Sequence, residues 1–209
     1  SCAPLSGQQH AMVVTVLDMS EVCHLHQQLE LQAITDSLTG LLNRRGFQRA
    51  VDALLMRDDV DAQLRVLLYL DLDGFKRIND SLGHEVGDHA LSWVSEQLEQ
   101  CARPGDILGR IGGDEFTLLL NVDEPQEAAQ IAEQLIERIA VHQLIQGLDV
   151  SLGVSIGIAV YPGGDTGLET LMRAADAAMY EAKRAGRQQY RFYDALISAQ
   201  PLLSPGHWQ

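Results

Sequence analysis

Residues 107–120 read Ile107-Leu108-Gly109-Arg110-Ile111-Gly112-Gly113-Asp114-Glu115-Phe116-Thr117-Leu118-Leu119-Leu120. Two apolar runs, 107–111 and 116–120, flank Gly112-Gly113-Asp114-Glu115, a composition that predicts a β-hairpin with a tight polar tip. The glycines are expected to take positive φ there and to let the backbone come close to a ligand, while the acids set two carboxylates side by side. Upstream, residues 66–70 are uninterrupted apolar, as suits a strand buried on both faces, and they run straight into Asp71-Leu72-Asp73. In a strand, Asp71 and Asp73 share a face. Either acidic pair alone reads as a solvated turn. Gathered at neighbouring strand ends, the four acids suit a hard cation, and a site that transfers phosphoryl or nucleotidyl groups needs one to neutralise triphosphate oxygens.

Helical periodicity surrounds these strands. Phe47, Ala50, Val51, Leu54 and Leu55 fall on one helical face behind Asn43 as N-cap, with Asp58-Asp59 as the stop. Val86, Ala90, Val94, Leu98 and Cys101 predict a second amphipathic helix. Ile131, Leu135, Ile136 and Ile139 predict a third, and Leu168, Leu171, Met172, Ala175, Met179 and Ala182 a fourth. Residues 150–160 read as a Gly-interrupted strand pair or one long strand, and residues 190–193 as a short closing strand. Helices mixed with at least one hairpin argue for an α+β fold, a central mostly antiparallel sheet flanked by helices. The first 35 residues differ in character: residues 12–17 are strand-like, Asp18 and Glu21 form a capping-box signature, and Val22, Leu25 and Leu29 make one apolar stripe on a polar helix. Residues 195–209, with two prolines and a glycine, are expected to form a loose tail.

The chain has 209 residues, with Asp+Glu 29 against Lys+Arg 15, a formal net charge of −14. That size supports a real core without disulfide staples, and the charge argues against nucleic acid and anionic membranes as partners. A phosphate-bearing ligand would have to be held by a few placed cations or a metal. Cys2, Cys23 and Cys101 are odd in number and in no metal-like spacing, which makes a reducing cytoplasm the expected compartment. No apolar stretch reaches the roughly 20 residues of a membrane span, and no basic region precedes residues 11–17 as a signal peptide would require.

Six blocks in order resemble the GGDEF family of diguanylate cyclases, enzymes that condense two GTP into cyclic di-GMP. They are Asp36-Ser37-Leu38-Thr39-Gly40-Leu41-Leu42-Asn43-Arg44, Asp71-Leu72-Asp73-Gly74-Phe75-Lys76-Arg77-Ile78-Asn79-Asp80, Gly83-His84-Glu85-Val86-Gly87-Asp88, Arg110-Ile111-Gly112-Gly113-Asp114-Glu115-Phe116, Ser155-Ile156-Gly157-Ile158-Ala159, and residues 174–187 ending in Lys183-Arg184-Ala185-Gly186-Arg187. The resemblance implies a palm-like nucleotidyl cyclase core over residues 36–194, with 1–35 as a strand and linker helix and 195–209 as the tail. Residues 12–21 also resemble the closing strand and exit turn of PAS sensor domains; a folded arm of the main domain fits them as well.

The resemblance implies roles residue by residue. Asp71, the Leu72 carbonyl, Asp114 and Glu115 would hold Mg²⁺, with Mn²⁺ as a substitute, and Asp114 and Glu115 would be catalytic. Asn79 and Asp88 would read guanine: a carboxylate accepts from N1–H and the exocyclic amine, whereas adenine offers an acceptor at N1. Taken alone, Asp88 is a helix N-terminal acid. Lys76, Lys183 and Arg187 would meet the triphosphate, with the amides near Gly74 and Phe75 cradling the terminal phosphates. Arg103 and Asp106 match the family's product-inhibition site, although Arg103-Pro104-Gly105-Asp106 is a type II turn in its own right. The family commonly places Asn after Gly-Arg, where this chain has Gln188. The implied enzyme works as a homodimer, each domain presenting one GTP. Two rivals stand beside it: a non-catalytic GTP- or cyclic di-GMP-binding module, and a nucleotidyltransferase of other base specificity.

Overall fold

A computed structural model of the chain describes residues 33–55, 64–141, 143–145, 147–162 and 167–193. The strand of residues 12–17, the capping box, the stripe at Val22, Leu25 and Leu29, the stop at Asp58-Asp59 and the tail lie outside the described residues. Within them the order is β1 (Leu42–Asn43), α1 (Arg44–Leu55), β2 (Leu64–Asp73), α2 (Phe75–Leu82), α3 (His84–Cys101), β3 (Ile107–Arg110), β4 (Glu115–Val122), α4 (Pro125–Ile139), β5 (Gln143–Ile145), β6 (Leu148–Val150), β7 (Gly153–Val160), α5 (Leu168–Arg184) and β8 (Tyr190–Phe192).

Six strands form one sheet in the order β1-β3-β4-β2-β7-β8. The three inner pairings are antiparallel, and the outer strands β1 and β8 join parallel to their neighbours. The mostly antiparallel sheet expected from the hairpin is the one observed. The uninterrupted apolar run 66–70 lies at its centre, buried from both sides as its composition requires. Residues 150–160 resolve into two strands in different sheets: β6 pairs with β5 in a small hairpin, and β7 pairs with β2.

Strand alternation divides the core. Leu68, Leu70, Phe116, Leu118, Leu120, Ile156 and Ile158 face α2, α3 and α4, where Val86, Ala90, Val94, Leu98, Ile131 and Leu135 meet them. Leu67, Tyr69, Leu119 and Ala159 face the other way, onto Phe47 and Val51 of α1 and Leu171, Ala175 and Met179 of α5. Each buried Val, Leu, Ile, Phe or Met among them contributes about 1.5–3 kcal/mol. One contact sets the height of α5 over the sheet. A Cβ on Gly157 of β7 would collide with the Ala175 carbonyl and the Met179 amide, so helix and strand meet backbone to backbone there. The last turn of α5 is thereby brought over the end of β2.

Candidate functional site

The register carries the acids together. Asp71 of β2 lies directly opposite Glu115, the first residue of β4, and the Leu72 amide donates to the Asp114 carbonyl at 3.2 Å. Leu72 and Asp114 therefore form the hydrogen-bonded pair, and Asp71 and Glu115 the non-hydrogen-bonded pair beside it, the closer of the two side-chain geometries. Burial pushes the carboxyls of Asp71, Asp114 and Glu115 above the ordinary range. Mutual repulsion adds to this: Asp114 and Asp73 act on Asp71, Glu115 on Asp114, and Asp71 and Asp176 on Glu115.

The hairpin tip is built differently from the expectation at its glycines. Neither Gly112 nor Gly113 has positive φ. At Gly112 the Glu115 carboxylate occupies the space a Cβ would take, so a larger residue there must push that side chain aside, whereas a Cβ on Gly113 would meet nothing within 4 Å. The turn is held by Arg110, whose Nε and Nη2 donate to the Gly113 carbonyl at 3.2 and 2.7 Å and whose Nη1 reaches Asp36 Oδ1 at 2.9 Å. Burial pushes the Asp36 carboxyl up, but two hydrogen bonds from Thr39 and the Arg110 guanidinium outweigh it and hold the group below the usual range. Beside this turn a cleft of about 550 Å³ is lined by Asp36, Asn43, Arg44, Arg45 and Arg110. Asn43 caps α1 as expected, its Oδ1 accepting from the Gly46 amide at 2.9 Å.

The closing helix supplies the counter-charges. Lys183 in its last turn places Nζ 2.7 Å from Asp71 Oδ1, and Arg187 places Nε 3.6 Å from Asp73 Oδ1. The helix stops in a Schellman turn, with the Arg187 amide donating to the Ala182 carbonyl and the Gly186 amide to the Lys183 carbonyl. Arg187 and Gln188 follow with φ of 64° and 48°, a left-handed pair that aims the Gln188 amide at Asp73 Oδ2, 3.1 Å away. Ser155 donates to both Asp73 oxygens at 3.0 and 2.8 Å. Asp73 is thus fully engaged in joining β7 and the α5 exit to β2, and Asp71 is the acid of that pair that faces Glu115.

The remaining residues fall at the same end of the sheet or beyond it. Gly74 takes the left-handed conformation (φ 88°) and starts α2 directly after β2, which sets the first-turn amides at Phe75 and Lys76 beside the acids. Leu72 and Phe75 are buried and Lys76 is exposed. Asn79 packs against Gly87, next to Asp88, and its Oδ1 is buried without a partner. Asp88 is exposed in the second turn of α3 rather than at its start. Arg103 and Asp106 lie at the far end of the β3–β4 hairpin, in the turn expected there. Gly105 has φ 101°, the Asp106 amide returns to the Arg103 carbonyl at 3.0 Å, and the Asp106 carboxylate accepts from the amides of Arg103 and Asn121. Arg103 pairs with Glu127 at 2.7 Å.

Sequence reasoning missed two members of the site. The Tyr69 hydroxyl donates to Glu115, and Asp176 of α5 presses its charge on the same carboxylate. Periodicity carried both: Tyr69 is two residues before Asp71 on one strand face, and Asp176 is seven before Lys183 on one helix face.

A family model described as "Diguanylate cyclase, GGDEF domain" matches residues 33–189. Among curated relatives, the bifunctional diguanylate cyclase/cyclic di-GMP phosphodiesterase MucR of Pseudomonas aeruginosa is 37% identical over 199 residues, covering 90% of this chain and 29% of MucR. The diguanylate cyclase DgcM of Escherichia coli K12 is 40% identical over 178 residues, covering 85% of this chain and 43% of DgcM. Among solved structures, the coiled coil and GGDEF domain of DgcB from Caulobacter crescentus, in complex with c-di-GMP, superposes with a TM-score of 0.74 at 29% identity, covering 83% of this chain and 94% of that one. The chain belongs to the GGDEF diguanylate cyclase family. It spans less than half the length of the curated relatives named here.

Proposed function

We propose that this chain is a metal-dependent diguanylate cyclase with its catalytic domain over residues 36–194, working in the cytoplasm as a homodimer. The observation that carries the reading is the direct cross-strand pairing of Asp71 with Glu115, beside Asp114, inside an intact Arg-Ile-Gly-Gly-Asp-Glu-Phe motif. Intact acids favour the enzyme over a module that only binds.

Among the described residues, no three acidic, histidine or cysteine side chains stand close enough together to ligate an ion. The Lys183 ammonium holds the counter-ion position at Asp71 instead. The donor chemistry still fits a hard divalent cation: carboxylates and a backbone carbonyl, oxygen throughout, with more negative charge than Lys183 alone balances. Asp71, the Leu72 carbonyl, Asp114 and Glu115 would hold it, with Mg²⁺ the expected ion and Mn²⁺ its substitute. Bound, it would neutralise phosphate charge and make the attacking hydroxyl more acidic.

The chain's own residues do the rest. Asp88 and Asn79 fix guanine, and the orphaned Asn79 oxygen is a ready acceptor for its N–H edge. Lys76, Lys183, Arg187 and the first-turn amides of α2 hold the triphosphate. The 3′-oxygen of each GTP attacks the α-phosphorus of the other, an O–P bond forms, the α–β bridge breaks, and pyrophosphate leaves. The hydroxyl proton passes to the Asp114–Glu115 pair. Both bonds require two domains face to face, so one copy is insufficient. Arg103 and Asp106 form a product site that slows turnover as cyclic di-GMP accumulates.

Incubation with GTP and Mg²⁺, followed by chromatography of the nucleotides across a protein dilution series, tests the reading. Cyclic di-GMP should appear with a specific activity that rises with protein concentration; none at the highest concentration rejects the enzyme. Glu115→Gln or Asp114→Asn should lower turnover by about 100-fold or more while GTP still binds.

A further inference from the structure

The Lys183 ammonium is committed to an acid of the site. Its Nζ sits 2.7 Å from Asp71 Oδ1, and its field also reaches Asp114 and Asp176. The same lysine is placed by sequence to meet the triphosphate. A divalent ion arriving alone at Asp71 must displace an ammonium from its closest anion and leave it only the more distant fields of Asp114 and Asp176. An ion arriving with a triphosphate brings a replacement anion with it.

We propose that Lys183 is the residue that makes the site select a metal–nucleotide complex over free metal, by exchanging Asp71 for phosphate as the complex binds. The inference rests on the cyclase reading. Geometry makes the exchange short. Lys183 is in the last turn of α5, its side chain 28% exposed against 14% for Asp71, so the ammonium stands on the solvent side of the carboxylate and needs only a rotamer change to leave it. The helix need not move, because the Gly157 contact and the Schellman turn fix its end. Asp73 takes no part in the exchange, since Ser155 and the Gln188 amide hold its carboxylate whatever Arg187 does. Selection follows from charge. With Lys183 in place, a free cation approaching Asp71 meets the ammonium's repulsion and a carboxylate oxygen already engaged; once phosphate draws the ammonium away, that repulsion is gone and the oxygen is open.

The test is Mn²⁺ binding by calorimetry without nucleotide, on wild type, Lys183→Met, Lys183→Gln and the Asp71→Asn/Lys183→Met double variant, each checked for a folded circular dichroism spectrum. Removing the ammonium should tighten free Mn²⁺ binding by on the order of tenfold, the size of effect that groups neighbouring a metal site exert. The gain should vanish in the double variant. Unchanged or weaker Mn²⁺ binding in both lysine variants overturns the proposal, as does a gain that survives loss of Asp71. Should neither lysine variant fold, Lys183→Arg keeps the cation and must retain wild-type Mn²⁺ affinity; a marked gain there overturns it too. If wild type makes no cyclic di-GMP, the cyclase reading fails while the Mn²⁺ series still decides the exchange. If it makes product and the series shows no gain, only the exchange fails.

Discussion

A Cβ on Gly112 would collide with the Glu115 carboxylate, whereas one on Gly113 would meet open space. The two glycines therefore predict different failures. Gly112→Ala displaces a carboxylate of the site from within, so turnover should fall with GTP affinity little changed. Gly113→Ala is tolerated by the folded chain, and its thermal midpoint should match wild type. Any loss of activity in Gly113→Ala then reports on what approaches from outside. Midpoints and a kcat-against-KM comparison separate the cases; a large loss of stability in Gly113→Ala would contradict the geometry. At this scale the sequence was readable for residue types and misleading for conformation: glycine at a hairpin tip suggested positive φ, while the actual need was room for a side chain three residues on.

At the level of elements, the exit of α5 spends backbone strain to deliver one amide. Gln188 is held at φ 48°, in the left-handed region that costs an ordinary L-residue about 1–2 kcal/mol and that asparagine visits far more readily. Gln188→Asn should stabilise the fold by about 0.5–1 kcal/mol, raising the thermal midpoint by about 1–4 °C, with the Asp73 contact kept. A lower midpoint would mean that the Gln188 side chain, which packs at Gly153, matters more than its backbone. Periodicity marked α1, α3, α4 and α5 because each shows one apolar stripe to the sheet. The short α2 and the β5–β6 hairpin left no comparable pattern, being too brief for one. The Lys183–Asp71 and Ser155–Asp73 contacts were equally silent, since they join segments distant in sequence and depend on the strand order.

Across the whole molecule, the β3–β4 hairpin carries acids at one end and the Arg103 turn at the other. The Arg103–Glu127 pair lies at the surface, where solvent screens it, so it does little to hold Arg103 away from a ligand. Arg103→Ala should leave the initial rate near wild type and lengthen the linear phase of product formation. Progress curves that flatten as early as wild type would reduce Arg103 to a turn residue. The sequence was sufficient for the fold class and for the sheet's antiparallel character, because hairpin signals are local. It was silent on β1 and β8 joining parallel at the two edges, which only long-range pairing decides.

The opposition of Asp71 and Glu115 also works as a proofreading device. If β4 paired with β2 one residue out of step, Glu115 would turn to the α3 side of the sheet, and Phe116, Leu118 and Leu120 would be thrust under α1 and α5. The error that dismantles the acid pair is thus the error that ruins the core. A chain that has buried its leucines correctly has, by the same act, assembled its chemistry.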